Sequence, residues 1–271
     1  MVSELAIVSG ATGGIGRAVV ERLWKAGYSV LALGRSPEKL QALHDWLTGT
    51  PHSRCQVSYT VAMTFPDADY ARLAAYCECH QRLGGEIALL AVCHGAAPQP
   101  GPFATCEQAL RDVLMVDVLA TVRLCQAIGE SMRVQGSGSI CLVSSLHSRI
   151  SYPERAAYVV GKSALSGLVR SLALDWGRYG IRTNAVLPWQ VRGPRTDGFI
   201  AAYRDATGQD LEERYKQRSP MRRLVEAEDV ADAVLFLARN TACNGVELVL
   251  DGGVSQNMWY EGYKEEHHNA D

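Results

Sequence analysis

The chain has 271 residues, 47% of them hydrophobic, with 27 Lys and Arg against 29 Asp and Glu and a formal net charge of −2. That length allows one large α/β domain or two small ones, with a core that needs neither disulfides nor a structural metal. The near-neutral balance supplies no electrostatic footprint for nucleic acid, and no apolar run approaches the length of a membrane span.

The opening "MVSELAIVSG" lacks a basic region and a long apolar segment, which argues against a secretory signal. Within it, "ELAIVSG" reads as a buried strand ending in glycine, followed by a small-residue turn and the helical "IGRAVVERLWKAG". "YSVLALG" reads as a second strand, and "SPEKLQALHDWL" as a helix with Ser36 at its N-cap and Pro37 at its first position. Further strands are expected near 55–61, 87–92, 138–144, 181–187 and 246–250, with helices filling most intervals. Near-continuous apolar strands alternating with helices predict a single-domain, Rossmann-type, doubly wound α/β fold of about seven parallel strands. No linker or repeat divides residues 1–255; residues 256–271 read as a tail, where His267 and His268 are expected to be solvated. Residues 192–225 are Arg-rich and polar, and fit a helical excursion over the C-terminal edge of the sheet, where such folds bind ligands.

The eight cysteines, at 55, 77, 79, 93, 106, 125, 141 and 243, show no disulfide-framework spacing and suggest reduced thiols in a cytoplasm. Cys77 and Cys79 in "CECH" would point about 200° apart on a helix, and no second ligand pair follows, so no metal site is expected.

"SGATGGIG", residues 9–16, joins the first strand to the first helix. Glycines there let backbone N–H groups approach a pyrophosphate at the positive end of the helix dipole. Where NAD enzymes usually hold the adenosine ribose with a carboxylate, this chain has Gly34 and then Arg35. A guanidinium binds a 2′-phosphate that a carboxylate would repel, so NADP is favoured over NAD. Arg17 is either a second cation for that phosphate or a solvent-facing residue. Tyr158 and Lys162 stand four positions apart, one helical turn and about 6 Å along a shared face. In a cleft, the ammonium would stabilise the phenolate of a proton-transferring tyrosine.

Together "SGATGGIG", "VSS" at 143–145, "YVVGK" at 158–162, "IRTNAVLP" at 181–188 and "LVLDGG" at 248–253 resemble a classical short-chain dehydrogenase/reductase from about residue 4 to residue 255. The resemblance implies hydride transfer between nicotinamide and a carbonyl or secondary alcohol. Tyr158 would be the acid/base and Lys162 its partner and ribose contact; Ser145, rather than Ser144, would hold the carbonyl oxygen. It places the cofactor against Gly10, Thr12, Gly14, Ile15, Gly16, Gly95, Pro188 and Val191. It also implies a homotetramer or homodimer, and Val160, Ala164, Gly167 and Ser171 form a small-residue stripe suited to that packing.

Three motifs depart from the family pattern. Asp117 stands in place of the asparagine of the proton relay, and either keeps that role or is structural. "VCHG", residues 92–95, replaces NNAG and puts His94 near the cofactor edge, where packing is expected of it. Trp189 replaces the glycine after Pro188 and would narrow or line the substrate pocket. Ala62 stands where many members have an aspartate near adenine. His147, Trp189, Arg192 and Arg195 are the expected substrate neighbours, the last two as anion contacts unless Asp197, Asp205, Asp210, Glu212 and Glu213 pair with the arginines of the segment. The function expected is an NADP-dependent ketoreductase or alcohol dehydrogenase for a small or medium-sized molecule. The rivals are a same-fold epimerase or dehydratase and a non-catalytic cofactor-binding regulator or scaffold.

Overall fold

Leu5 and Ile7 point to one face of the first strand and Ala6 and Val8 to the other, and all four are fully buried. That pattern requires cover on both sides of a sheet. In the computed structural model, which describes residues 4–49, 57–62 and 67–256, seven parallel strands supply that sheet. They are β1 (Glu4–Ser9), β2 (Ser29–Gly34), β3 (Val57–Ala62), β4 (Glu86–Val92), β5 (Gly138–Val143), β6 (Ile181–Pro188) and β7 (Glu247–Leu250). Their order across the sheet is β3-β2-β1-β4-β5-β6-β7, so the chain reverses direction of travel between β1 and β4.

The helices are α1 (Gly14–Lys25), α2 (Pro37–Thr48), α3 (Asp67–Arg82), α4 (Glu107–Val113), α5 (Ala120–Gln135), α6 (Ala156–Gly177), α7 (Pro194–Thr207), α8 (Leu211–Arg218) and α9 (Ala227–Arg239). On one face Val19 and Leu23 of α1, Leu40 of α2 and Val234 of α9 pack on Ala6 and Val8. On the other, Leu73 of α3, Ile128 of α5 and Val169 of α6 pack on Leu5 and Ile7. Ser36 caps α2 by accepting from the Lys39 N–H at 3.3 Å, with Pro37 opening the helix. Cys77 of α3 is buried and Cys79 exposed, on opposite sides of that helix. No described helix is long and apolar enough to cross a membrane.

A third, smaller cluster joins Leu146 and Trp189 to Ile200 of α7, Leu211 and Tyr215 of α8, and Leu224. It seats residues 192–225 on the C-terminal edge of the sheet. A parallel bridge between Val191 and Val225 closes that excursion, with the Arg192 N–H donating to the Val225 carbonyl at 2.8 Å. Residues 257–271, with His267 and His268, and Cys55 lie outside the described residues.

Candidate active site

The reversal between β1 and β4 opens a crevice at the strand ends. Gly10 leaves β1 with φ +67°, and a Cβ there would stand 2.6 Å from the His94 backbone nitrogen. Only glycine combines that conformation with that approach. A Cβ on Gly16 would run into the Gly10 carbonyl oxygen, so the turn is bare backbone. Gly13 caps α1 without a side chain, and Gly13 and Gly14 are exposed, which leaves the first N–H groups of the helix facing outward. Thr12 and Ile15 flank the turn, each half-buried. Bare N–H donors at the positive end of a helix fit a pyrophosphate.

Arg35 is exposed just past β2 and forms no ion pair among the described residues. The nearby Glu38 is engaged by the Ser36 hydroxyl at 2.6 Å instead. Arg17 lies over the Trp46 ring, 4.8 Å from its centroid, so one of its faces packs rather than only facing water. Ala62 ends β3.

Two serines follow β5, and the structure separates them. Ser144 donates to the Lys162 carbonyl at 3.1 Å, tying β5 to the backbone of α6. Ser145 instead accepts from the His147 N–H at 3.2 Å at the start of a short helical turn. The His147 ring sits edge-on to Tyr158 with centroids 5.5 Å apart. One residue therefore touches both Ser145 and Tyr158. Tyr158 lies in the first turn of α6 and Lys162 in the second, with the Lys162 ammonium 5.7 Å from the Tyr158 ring centroid.

Lys162 is buried, and its Nζ lies 3.0 Å from Asp117 Oδ2. Residues Leu114–Leu119, between α4 and α5, are wound as a π-helix, a widened turn that carries Asp117 inward. The other Asp117 oxygen accepts from the Ala96 N–H, which anchors the loop after β4. Gly95 makes room for this pair: a Cβ there would stand 2.9 Å from Lys162 Nζ.

The altered loop after β4 is internally satisfied. His94 Nδ1 is 2.7 Å from Ser9 Oγ, and its Nε2 is 3.4 Å from Thr121 Oγ1. Burial, helped by the Lys162 charge, holds the imidazole down at about 4, so it is neutral at pH 7. Burial pushes the Cys93 thiol up to about 12, which leaves it a protonated packing residue.

Among the expected substrate neighbours, Trp189 is buried in the third cluster, donates to the Tyr152 hydroxyl at 3.3 Å and meets Tyr215 edge-on at 5.7 Å. Its ring anchors the covering helices. Pro188 ends β6 beside Leu250. Arg192 is held by Glu212 at 2.8 Å and Glu226 at 3.4 Å, and Arg195 donates to the Gly95 carbonyl at 3.1 Å. Arg204 pairs with Asp210 and Arg223 with Asp229 of α9, so much of the segment's positive charge is balanced within it or by the start of α9. His147 is buried, and its Nδ1 lacks a partner among the described residues. Tyr152 and Arg155 were not evident from the sequence as site residues; their position six and three residues before Tyr158 was the available signal.

The family model described as enoyl-(acyl carrier protein) reductase matches residues 10–255. The chain is 30% identical over 256 residues to 2-(R)-hydroxypropyl-CoM dehydrogenase of Xanthobacter autotrophicus, covering 93% of this chain and 98% of that one. The chain belongs to the short-chain dehydrogenase/reductase family. It is also 31% identical over 265 residues to glucose 1-dehydrogenase of Gluconobacter oxydans, covering 93% and 94% of the two chains. A crystal structure of a short-chain dehydrogenase/reductase from Burkholderia thailandensis superimposes with a TM-score of 0.82 at 30% identity, covering 95% and 94%. Like its relatives in the family, the protein is a nicotinamide-dependent oxidoreductase of alcohols and carbonyls.

Proposed function

We propose that the protein is an NADP-dependent ketoreductase or alcohol dehydrogenase for a small or medium-sized molecule, working through Ser145, Tyr158 and Lys162. The observation that carries this reading is the position of His147, whose N–H meets Ser145 and whose ring meets Tyr158, one turn from buried Lys162. Gly10, Gly13, Gly14 and Gly16 would hold the pyrophosphate, with Thr12 and Ile15 beside them. Arg35 would bind the 2′-phosphate, and Gly95, Pro188 and Val191 would border the nicotinamide. When bound, the nicotinamide supplies or accepts a hydride.

Ser145 donates a hydrogen bond to the carbonyl oxygen, orienting it and stabilising the charge that develops there. Tyr158 gives its phenolic proton to that oxygen in reduction and takes it back in oxidation. Lys162 stabilises the phenolate with its ammonium charge, and Asp117 fixes where that ammonium stands. The relatives named for 2-(R)-hydroxypropyl-CoM, glucose and L-fucose are dehydrogenases of hydroxylated small molecules, which supports this substrate type. The proposed setting is a cytoplasmic homotetramer or homodimer acting without nucleic acid or membrane.

A carbonyl panel followed by loss of nicotinamide absorbance tests the reading. Turnover with NADPH exceeding that with NADH supports it. Cofactor binding without turnover of any ketone, aldehyde or alcohol would contradict it.

A further inference from the structure

We propose that Arg155 selects an anionic substrate, a small ketone or alcohol bearing a carboxylate or sulfonate, by binding that head group beside Tyr158. The inference rests on the reductase reading above and names its substrate class. Arg155 immediately precedes α6 and lines, with Tyr158 and the loop residues Pro98, Gln99 and Gly101, one cleft. Its guanidinium lies over the Phe199 ring of α7, 5.4 Å from the centroid, so it spans from the catalytic helix to the covering helix. Stacking occupies a face of the guanidinium and leaves its in-plane N–H donors available for a bidentate partner.

Charge balance singles this arginine out from those first expected to bind an anion. Arg192 is engaged by Glu212 and Glu226, and Arg195 by the Gly95 carbonyl. Arg155 forms no ion pair among the described residues, although it is only half-exposed. The backbone before it is strained: Glu154 adopts φ +62°, with its carbonyl accepting from the Gly101 N–H at 3.2 Å. A non-glycine residue in that region is uncommon and persists where the surroundings hold it. Here it sets the direction in which Arg155 leaves the chain.

His147 packs behind Tyr158. Its side chain is packed between Tyr152 at 5.0 Å and Tyr158 at 5.5 Å, the residue is only 7% exposed, and Nδ1 has no partner among the described residues. Burial and the Arg155 charge hold this imidazole down at about 4, so it stays neutral and Arg155 faces no second cation there. A substrate whose anionic head meets Arg155 in this cleft leaves its carbonyl for Ser145 and Tyr158.

The test compares levulinate and its sulfonate analogue with methyl levulinate, a neutral ketone of the same chain. Calorimetric binding to the NADP⁺-saturated enzyme is measured alongside NADPH turnover, for the wild type, Arg155→Ala and Arg155→Lys. The anions are expected to bind at least about 10-fold more tightly than the ester, in keeping with charge-assisted bidentate bonding. Arg155→Ala is expected to weaken anion binding about 10- to 100-fold and ester binding far less, with Arg155→Lys recovering part of the preference. Equal binding of anion and ester to the wild type, or equal losses in Arg155→Ala, overturns the proposal. An Arg155-dependent anion preference without turnover of any carbonyl would leave Arg155 as the anion contact and remove the reductase reading instead.

Discussion

Lys162 Nζ and Asp117 Oδ2 stand 3.0 Å apart, with the lysine side chain 5% and the aspartate side chain 0% exposed. The ion pair joins α6 to the π-turn before α5, and the Ala96 N–H ties the loop after β4 to the same carboxylate. Each charge compensates the desolvation of the other, so removing one strands its partner. A neutral amide would still accept from Ala96 but could not balance the ammonium.

Asp117→Asn is therefore expected to lower stability by about 3 kcal/mol, the usual cost of breaking a buried pair from one side. Removing a negative charge beside Lys162 also favours loss of the catalytic proton, so the rising limb of the pH profile for alcohol oxidation should move to lower pH. Chemical denaturation and kcat/KM against pH check both. An unchanged midpoint with an unchanged profile would show that the carboxylate is only a spacer.

Arg35→Asp is expected to reverse cofactor preference. The carboxylate would accept the ribose hydroxyls of NADH and repel the 2′-phosphate, moving the ratio of kcat/KM for NADPH over NADH down by at least about 100-fold. Steady-state kinetics with both cofactors measure it, and an unaltered ratio would show that Arg35 does not read the phosphate.

His94 makes stability depend on pH. Its ordinary value near 6.5 falls to about 4 in the folded chain, so between these values the unfolded chain binds the extra proton. The contribution is fully present above about 6.5 and is lost as pH falls toward about 4, amounting to roughly 3 kcal/mol. Urea midpoints across that window should fall for the wild type and fall less for His94→Gln. Equal slopes for the two would remove His94 as the titrating group.

The outer face of α6 predicts assembly. Val160 is 46% and Leu174 82% exposed, and a Cβ on Gly167 between them would meet open space. On the preceding segment, Met115 and Leu119 are also exposed, which extends an apolar surface that a second copy would cover. Light scattering at micromolar concentration should show a dimer or tetramer, and Gly167→Arg should dissociate it without unfolding the subunit. A monomeric wild type would contradict this.

The sheet was legible because its strands are buried on both faces and read as apolar runs, and because Gly10, Gly16 and the Ser36–Pro37 cap punctuate them. The Tyr158–Lys162 spacing was legible as a helical turn. The role of Asp117 was open between relay and structural residue, and its approach to Lys162 runs through a π-turn that local periodicity does not announce. Arg192 was open between an anion contact and pairing with the segment's carboxylates, and it pairs with Glu212 of α8, one of those expected, and with Glu226 before α9, which reach it once the covering segment folds back. Trp189 likewise read as a pocket wall, whereas the covering helices enclose its ring in a cluster of their own. In each case the deciding neighbour comes from a distant part of the chain.

The most direct test of the catalytic assignment is Tyr158→Phe, assayed for NADPH oxidation with a ketone the wild type reduces and for NADPH binding by calorimetry. The substitution removes the transferable proton and little else, so kcat should fall at least about 100-fold while the NADPH Kd stays within about threefold of the wild type. A variant that retained near-native kcat would show that another group delivers the proton, and the account of Ser145, Tyr158 and Lys162 as the reacting set would fail.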